Sequence, residues 1–178
     1  MTWQLDATHS QVVFGVKHMV ISTVRGHFDV IRGTIEFDEA HPENASIEAE
    51  ADVTSINTRD KNRDAHLLSP DFFDAQQHPV ISFKSTKIER AGNDYKVTGD
   101  FTMHGVTRSV VFDVEYGGTI KDPYGLLRAG FNGRTKISRK DWGLTYGSLL
   151  ETGGAIVGDE VKIEFELEAV KQAVPAQV

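Results

Sequence analysis

Apolar and polar residues alternate with a period of two along most of this chain, and that pattern limits its fold more than any other feature. Val161, Ile163, Phe165, Leu167 and Ala169 fall on one side, and Lys162, Glu164, Glu166 and Glu168 on the other. Successive side chains of a β-strand point to opposite faces, so this is a strand with one face in water. Ile47, Ala49, Ala51 and Val53 alternate with Glu48, Glu50 and Asp52 in the same way. Tyr95 to Met103, Val110 to Tyr116 and Ala129 to Ile137 repeat the pattern, and weaker runs cover 10–20, 26–37 and 80–89. Together they predict about eight strands.

The connections are short. Ala91-Gly92-Asn93-Asp94 has the composition of a hairpin loop, and Asp122-Pro123-Tyr124-Gly125 that of a turn with Pro early and Gly late. Short connections make neighbouring strands antiparallel. Such a sheet has to cover its apolar face, either by packing two layers as a sandwich or by closing into a barrel.

One stretch breaks the alternation: TRDKNRDAHLLSPDFFDAQQHP, residues 58–79. Thr58 is placed to cap a helix reaching Ala65 to Leu68, and Ser69-Pro70 to open a short turn. Leu67, Phe72 and Phe73 would then point back to the sheet. The segment also concentrates Arg59, Arg63, Asp60, Asp64 and His66, which suits an active site, a lid or a plain plug.

Length and composition narrow the function. The 178 residues suit one domain, expected over 1–171 with a flexible tail at 172–178. A net charge of -7 argues against a nucleic-acid partner, because phosphate-binding surfaces need clustered Lys and Arg. There is no cysteine, hence no disulfide, zinc thiolate or cysteine nucleophile. No stretch approaches the roughly 20 apolar residues of a membrane span, and MTWQLDATHS has neither the basic start nor the apolar run of a signal peptide, so a cytoplasmic location is expected. A homodimer is left open.

Sites for chemistry are sparse. The seven histidines show no metal-ligand spacing, and the nearest approach, Asp64 with His66, is more simply an ion pair on a helix face. There is no GxSxG elbow, and His9 and Ser10 are neighbours on an extended segment, facing opposite ways. The glycines at 117, 118, 147, 153 and 154 form no phosphate loop. Neither a catalytic residue nor a metal is expected. On the inner face, Val12, Phe14 and Val16 form an apolar row that ends in His18. A barrel of about eight strands either just fills with side chains or holds one small ligand. The residues alone leave both readings open.

Several stretches in order, WQLDATHSQVVFGVKH, VRGHFDVIRGTIEFD, SINTRDKNRDAHLLSPDFFD, HPVISFKST, VTGDFTMHGVTRSV, ISRKDWGLTYGS and VGDEVKIEFELEA, resemble the YceI-like family of lipid- or polyisoprenoid-binding proteins. The resemblance runs from Trp3 to about Val170. It implies an all-β fold: an extended, lipocalin-like antiparallel barrel with one short helical segment near residues 58–74. It also implies an apolar tunnel that binds or carries a long-chain isoprenoid or a related amphiphile, such as a quinone or fatty-acid derivative, without catalysis. The ligand-binding candidates are then Phe14, Val16, His18, Phe28, Phe83, Phe101 and Phe131 on the strands, and Leu67 and Phe73 on the helical segment. Arg63 and His66 are candidates for meeting a polar head, and Arg139 and Trp142 of RKDWGL for lining the tunnel. The lipid is the only bound molecule implied, with no further cofactor. Two alternatives stand beside this reading: an enzyme acting on a small hydrophobic substrate, and a stress-linked interaction protein with a closed core.

Overall fold

A computed structural model describes residues 1–147 and 156–173. The glycines at 153 and 154 and most of the expected tail, from residue 174, lie outside the described residues. Eleven strand segments form one sheet. They are β1 (Thr2–Leu5), β2 (Gln11–His18), β3 (Ser22–Phe28), β4 (Ile31–Glu36), β5 (Ser46–Asp52), β6 (Ile56–Asn57), β7 (Val80–Ala91), β8 (Asp94–Met103), β9 (Val106–Lys121), β10 (Leu127–Ser138) and β11 (Val157–Lys171).

Six of these segments combine into three barrel strands. Both β1 and β2 run along β11, with Leu5 opposite Ala169 and Gln11 opposite Glu166. The next barrel strand joins β3, paired to β2, with β4, paired to β1. The third joins β5, paired to β4, with β6, paired to β3. Then β7 to β11 follow as an antiparallel meander whose last member returns to β1 and β2. The result is a closed antiparallel barrel of eight strands, the expected fold class.

Backbone polar groups at the strand breaks are satisfied across them, as buried peptide groups must be. The break at Asp29 and Val30 faces the one at Val53–Ser55. Asp29 N donates to Ser55 O at 3.1 Å, Val30 N to Ser55 Oγ at 3.0 Å, and Asp52 N to Val30 O at 3.0 Å. The two kinks hold each other, and the wall bends there without opening.

The helical segment folds as α1 (Lys61–Leu68) followed by turns. Its cap differs from the expectation. Asp60, not Thr58, accepts from Asn62 N and Arg63 N at 3.0 Å each. Thr58 is buried and serves as a knot: its N–H and hydroxyl donate to Asp64 Oδ1, while Arg63 Nε donates to its hydroxyl oxygen at 2.8 Å. Both residues are good caps by type; burial of Thr58 decides between them.

Two apolar clusters close the barrel. The larger one begins at the helix end with Phe28, Val53, Ile56, Met103, Trp142 and Leu144, continues along the barrel through Val97, Phe101, Phe112 and Ile163, and has Leu67, Leu68 and Phe73 of the helical segment packed against it. Phe28 stands between Phe14 and Phe73, with ring centroids 5.7 and 6.3 Å away. At the opposite end, a smaller cluster gathers Trp3, Ile35, Phe37, Ala129 and Ala169.

Candidate functional site

Along the barrel axis, walled by members of both clusters, lies an apolar cavity of about 160 Å³. Phe83, Phe101, Phe112, Phe131 and Phe165 line it, together with Val12, Ile47, Ile88, Val97, Ile163 and Leu167. Tyr95 and Tyr116 stand at the end remote from α1. Phe131 and Phe165 sit within the long β10–β11 ladder and Phe83 near the end of the β5–β7 ladder; their side chains turn inward, yet they are only partly buried. Inward rings keep exposure only where no protein atom faces them, so the axis of the barrel is hollow here. A larger open groove on the outer wall, about 490 Å³, is lined by Arg25, Asp113, Arg134 and Glu164. Charged and solvated, it is no place for an apolar guest.

The cavity stays open because of cross-strand pairs of phenylalanine with glycine. Gly133 lies directly opposite Phe165, and a Cβ built on it would overlap the Phe165 ring. The Phe83 ring covers Gly99, its diagonal neighbour on β8, and nearer the helix end the Phe14 ring covers Gly26, opposite it on β3. An aromatic ring over a glycine lies flat on the wall instead of crossing the axis. Glycine in a strand weakens it by about 0.5–1 kcal/mol relative to alanine. In return, these positions leave room along the axis.

The wall is thinnest between β5 and β7. Their ladder stops at Glu48 opposite Lys84, while β7 runs on to Ala91. Past that point Ile47 N donates to the Ser85 hydroxyl at 2.8 Å instead of a backbone carbonyl. The loop from Phe37 to Ala45, with its short 3-10 turn Pro42–Asn44, covers the gap, and Phe37, Pro42 and Ala45 all line the cavity. Across this loop, the Tyr116 hydroxyl donates to Glu39 Oε1 at 2.8 Å. Burial pushes the Tyr116 phenol above its ordinary pKa.

Of the sequence candidates, Phe83, Phe101 and Phe131 line the cavity. The other ten lie elsewhere. Phe14, Phe28, Leu67, Phe73 and Trp142 belong to the helix end of the larger cluster, and the Trp142 indole donates to Phe101 O at 3.0 Å. Val16 and His18 lie on β2 beyond that cluster, opposite Val161 and Val157. Arg63 spends Nε and Nη2 on Thr58, and His66 sits at the surface against Asp71, 2.8 Å away, and beside Phe72 and Tyr146. Arg139 is buried and donates to Leu144 O at 2.6 Å and Gly158 O at 2.9 Å, tying these two backbone positions together. Phe37, Tyr95, Tyr116, Phe112 and Phe165 were not among the candidates. The alternation marks all but Phe37 as inward, but only cross-strand register shows which end of the barrel is hollow.

The structure also gathers a group that spacing did not reveal. Asp6, His9 and Glu168 come close enough to share a cation. The Arg128 guanidinium already serves as one: Nη1 donates to Asp6 Oδ2 at 2.8 Å and to Glu168 Oε1, and Nε to Asp122 Oδ2 at 2.8 Å. Hydrogen bonds from His9 and Arg128 hold the Asp6 carboxyl well below the usual carboxylate range, and Arg128 lowers Asp122 as well. Both pKa values are depressed on folding. The stability these groups contribute is therefore complete above the unfolded carboxylate value of about 3.9 and is lost as pH falls below it toward the folded values. The urea midpoint should hold steady down to about pH 5 and drop steeply from about pH 4 to 2. In Arg128→Met that acid limb should be shallower; an unchanged limb would take the cluster out of the acid response.

Comparison with known proteins agrees with this architecture. A family model, the YceI-like domain, matches residues 3–169. A UPF0312 protein of Pectobacterium atrosepticum is 33% identical over 167 residues, covering 94% of this chain and 84% of its own. The crystal structure of BcnA from Burkholderia cenocepacia superposes with a TM-score of 0.81 at 30% identity, over 92% of this chain and 98% of that one. A polyisoprenoid-binding domain from Saccharophagus degradans, implicated in plant cell wall breakdown, shares the fold at a TM-score of 0.70 and 17% identity, over 96% of this chain and 98% of its own.

Proposed function

The chain belongs to the YceI-like family, and from that premise we propose that its barrel binds a long-chain isoprenoid or a related amphiphilic lipid, without catalysis. The observation that carries this reading is the hollow itself: a closed barrel keeps an apolar space along its axis, held open by rings laid over Gly99 and Gly133. The polyisoprenoid-binding activity of the Saccharophagus degradans domain, which has the same fold, points to the ligand class. The polar residues along the cavity are few: Tyr95 and Tyr116 stand at its end, Arg32 is paired with Glu50 at 2.7 Å on the exposed side of the wall, and Ser82 lies opposite Glu50 in the same ladder.

The driving force is removal of apolar surface from water, about 0.8 kcal/mol for each buried CH₂, less the entropy of ordering a flexible chain. A cavity of about 160 Å³ is close in size to one of ~150 Å³ that takes up benzene. A longer tail must therefore part the side chains at the edges of the two clusters as it enters. The polar head belongs at the Tyr95–Tyr116 end, under the loop from Phe37 to Ala45, because the phenols stand there and a loop instead of a strand ladder covers the wall.

Titration with prenyl alcohols of increasing length tests this. Affinity should rise severalfold with each added isoprene unit until the cavity and its flexible edges are filled. Equal affinity for a short and a long prenyl chain would overturn the reading.

A further inference from the structure

The β9–β10 hairpin outruns its neighbour. β8 pairs with β9 only as far as Tyr95 opposite Val114, whereas β9 continues to Lys121 before the chain turns back into β10 at Leu127. The projecting part carries Ile120, Tyr124 and Leu126, which are 67%, 89% and 45% exposed. Large apolar side chains clustered in water mark a contact surface more often than chance.

This tip is held rigidly. Asp122 Oδ1 accepts from Tyr124 N and Leu126 N at 2.9 Å each, and Asp122 N donates to Leu126 O at 2.8 Å. Asp122 Oδ2 is fixed by Arg128, which Asp6 and Glu168 hold in turn. A turn tied this firmly cannot fold its apolar side chains back onto the barrel. The tip also belongs to the cavity end of the molecule. Tyr116, at the base of the same hairpin, lines the cavity and reaches Glu39 on the loop that covers it. Tip, loop and cavity form one connected unit.

Given the lipid-binding reading above, on which this inference rests, we propose that the hairpin tip docks the cavity end onto a zwitterionic lipid bilayer, with Ile120, Tyr124 and Leu126 entering the headgroup region. Tyrosine favours that depth, where its ring is in apolar surroundings and its hydroxyl is wet. The net charge of -7 disfavours an anionic surface and leaves neutral headgroups as the match. Three apolar side chains give weak, reversible attachment, which suits a protein that collects or delivers a lipid and then leaves.

The absence of native cysteine makes the test direct. Tyr124→Cys carries an environment-sensitive fluorophore; Lys61→Cys, exposed among polar residues at the start of α1 at the helix end, carries the same probe as a matched control. Phosphatidylcholine vesicles should shift the emission to the blue at position 124 and leave position 61 unchanged. No shift at 124, or equal shifts at both positions, overturns the proposal. A shift at 124 that grows with protein concentration without vesicles assigns the tip to a second copy and overturns it too. In unlabelled protein, Tyr124→Asp should lower co-flotation with the vesicles at least fivefold and leave prenyl-alcohol binding in vesicle-free buffer unchanged. The probe reports docking whether or not the cavity binds lipid, and the titration reports the cavity whether or not the tip docks, so the two readings fail separately.

Discussion

Arg139→Met should lower the unfolding free energy by about 3 kcal/mol or more, among the largest effects of any single change in this chain. Arg139 is 5% exposed, and its guanidinium holds the carbonyls of Leu144 and Gly158 from two directions. Burial pushes its pKa down, yet a guanidinium stays charged at any working pH. Asp159 lies 3.7 Å away with its side chain half exposed, so the pair is screened and the carbonyl bonds carry most of the interaction. Methionine keeps much of the stem's volume and removes every donor, leaving the carbonyls of Leu144 and Gly158, and the more distant one of Val157, without this partner. Thermal unfolding should show the midpoint roughly 6–12 °C lower. Arg139→Lys should fall between the two, since one ammonium cannot reach both carbonyls as a planar fork does. A loss under about 1 kcal/mol for Arg139→Met would mean that water replaces the guanidinium at little cost.

Gly133→Ala should lower affinity for a long prenyl chain tenfold or more while leaving stability within about 1 kcal/mol of the parent. The new methyl would overlap three carbons of the Phe165 ring, and no backbone atom is among its nearest neighbours. The ring is therefore what yields, and the free space open to it is the cavity. Combining Gly133→Ala with Phe165→Ala should restore binding, because the methyl stays and the displaced ring is gone. Gly99→Ala is the contrasting case. Its methyl would meet Lys84 O at 2.5 Å as well as the Phe83 ring, so the sheet itself has to move and stability should fall. Unchanged binding in Gly133→Ala would remove the ring-over-glycine device from the account.

Much of the architecture is legible in the sequence, and the exceptions have physical causes. The row from Val161 to Ala169 appears as β11, with Ile163 and Ala169 buried and Lys162, Glu164 and Glu166 in water. The break at Asp29 and Val30 is not legible, because it is made by Ser55 across the sheet and no glycine or proline marks it. The same holds for β6, two residues long, which exists because Phe28 and His27 offer it a partner. The candidate site was legible in kind and less so in place. An inward phenylalanine is visible from alternation. Whether its ring crosses the axis or lies on the wall depends on the residue opposite, and Gly133 meets Phe165 only once the register is known. The basic residues of the helical segment suggested a polar mouth. Arg63 is instead consumed by Thr58, a contact set by the burial of that threonine and not by any local motif.

Native mass spectrometry of the protein purified without detergent from its own cells, followed by solvent extraction, shows whether a lipid occupies the barrel. One long-chain lipid per chain is expected, released on unfolding and absent from Gly133→Ala purified in parallel. Only the bare mass of the chain, in parent and variant alike and after incubation with long prenyl alcohols, would contradict it.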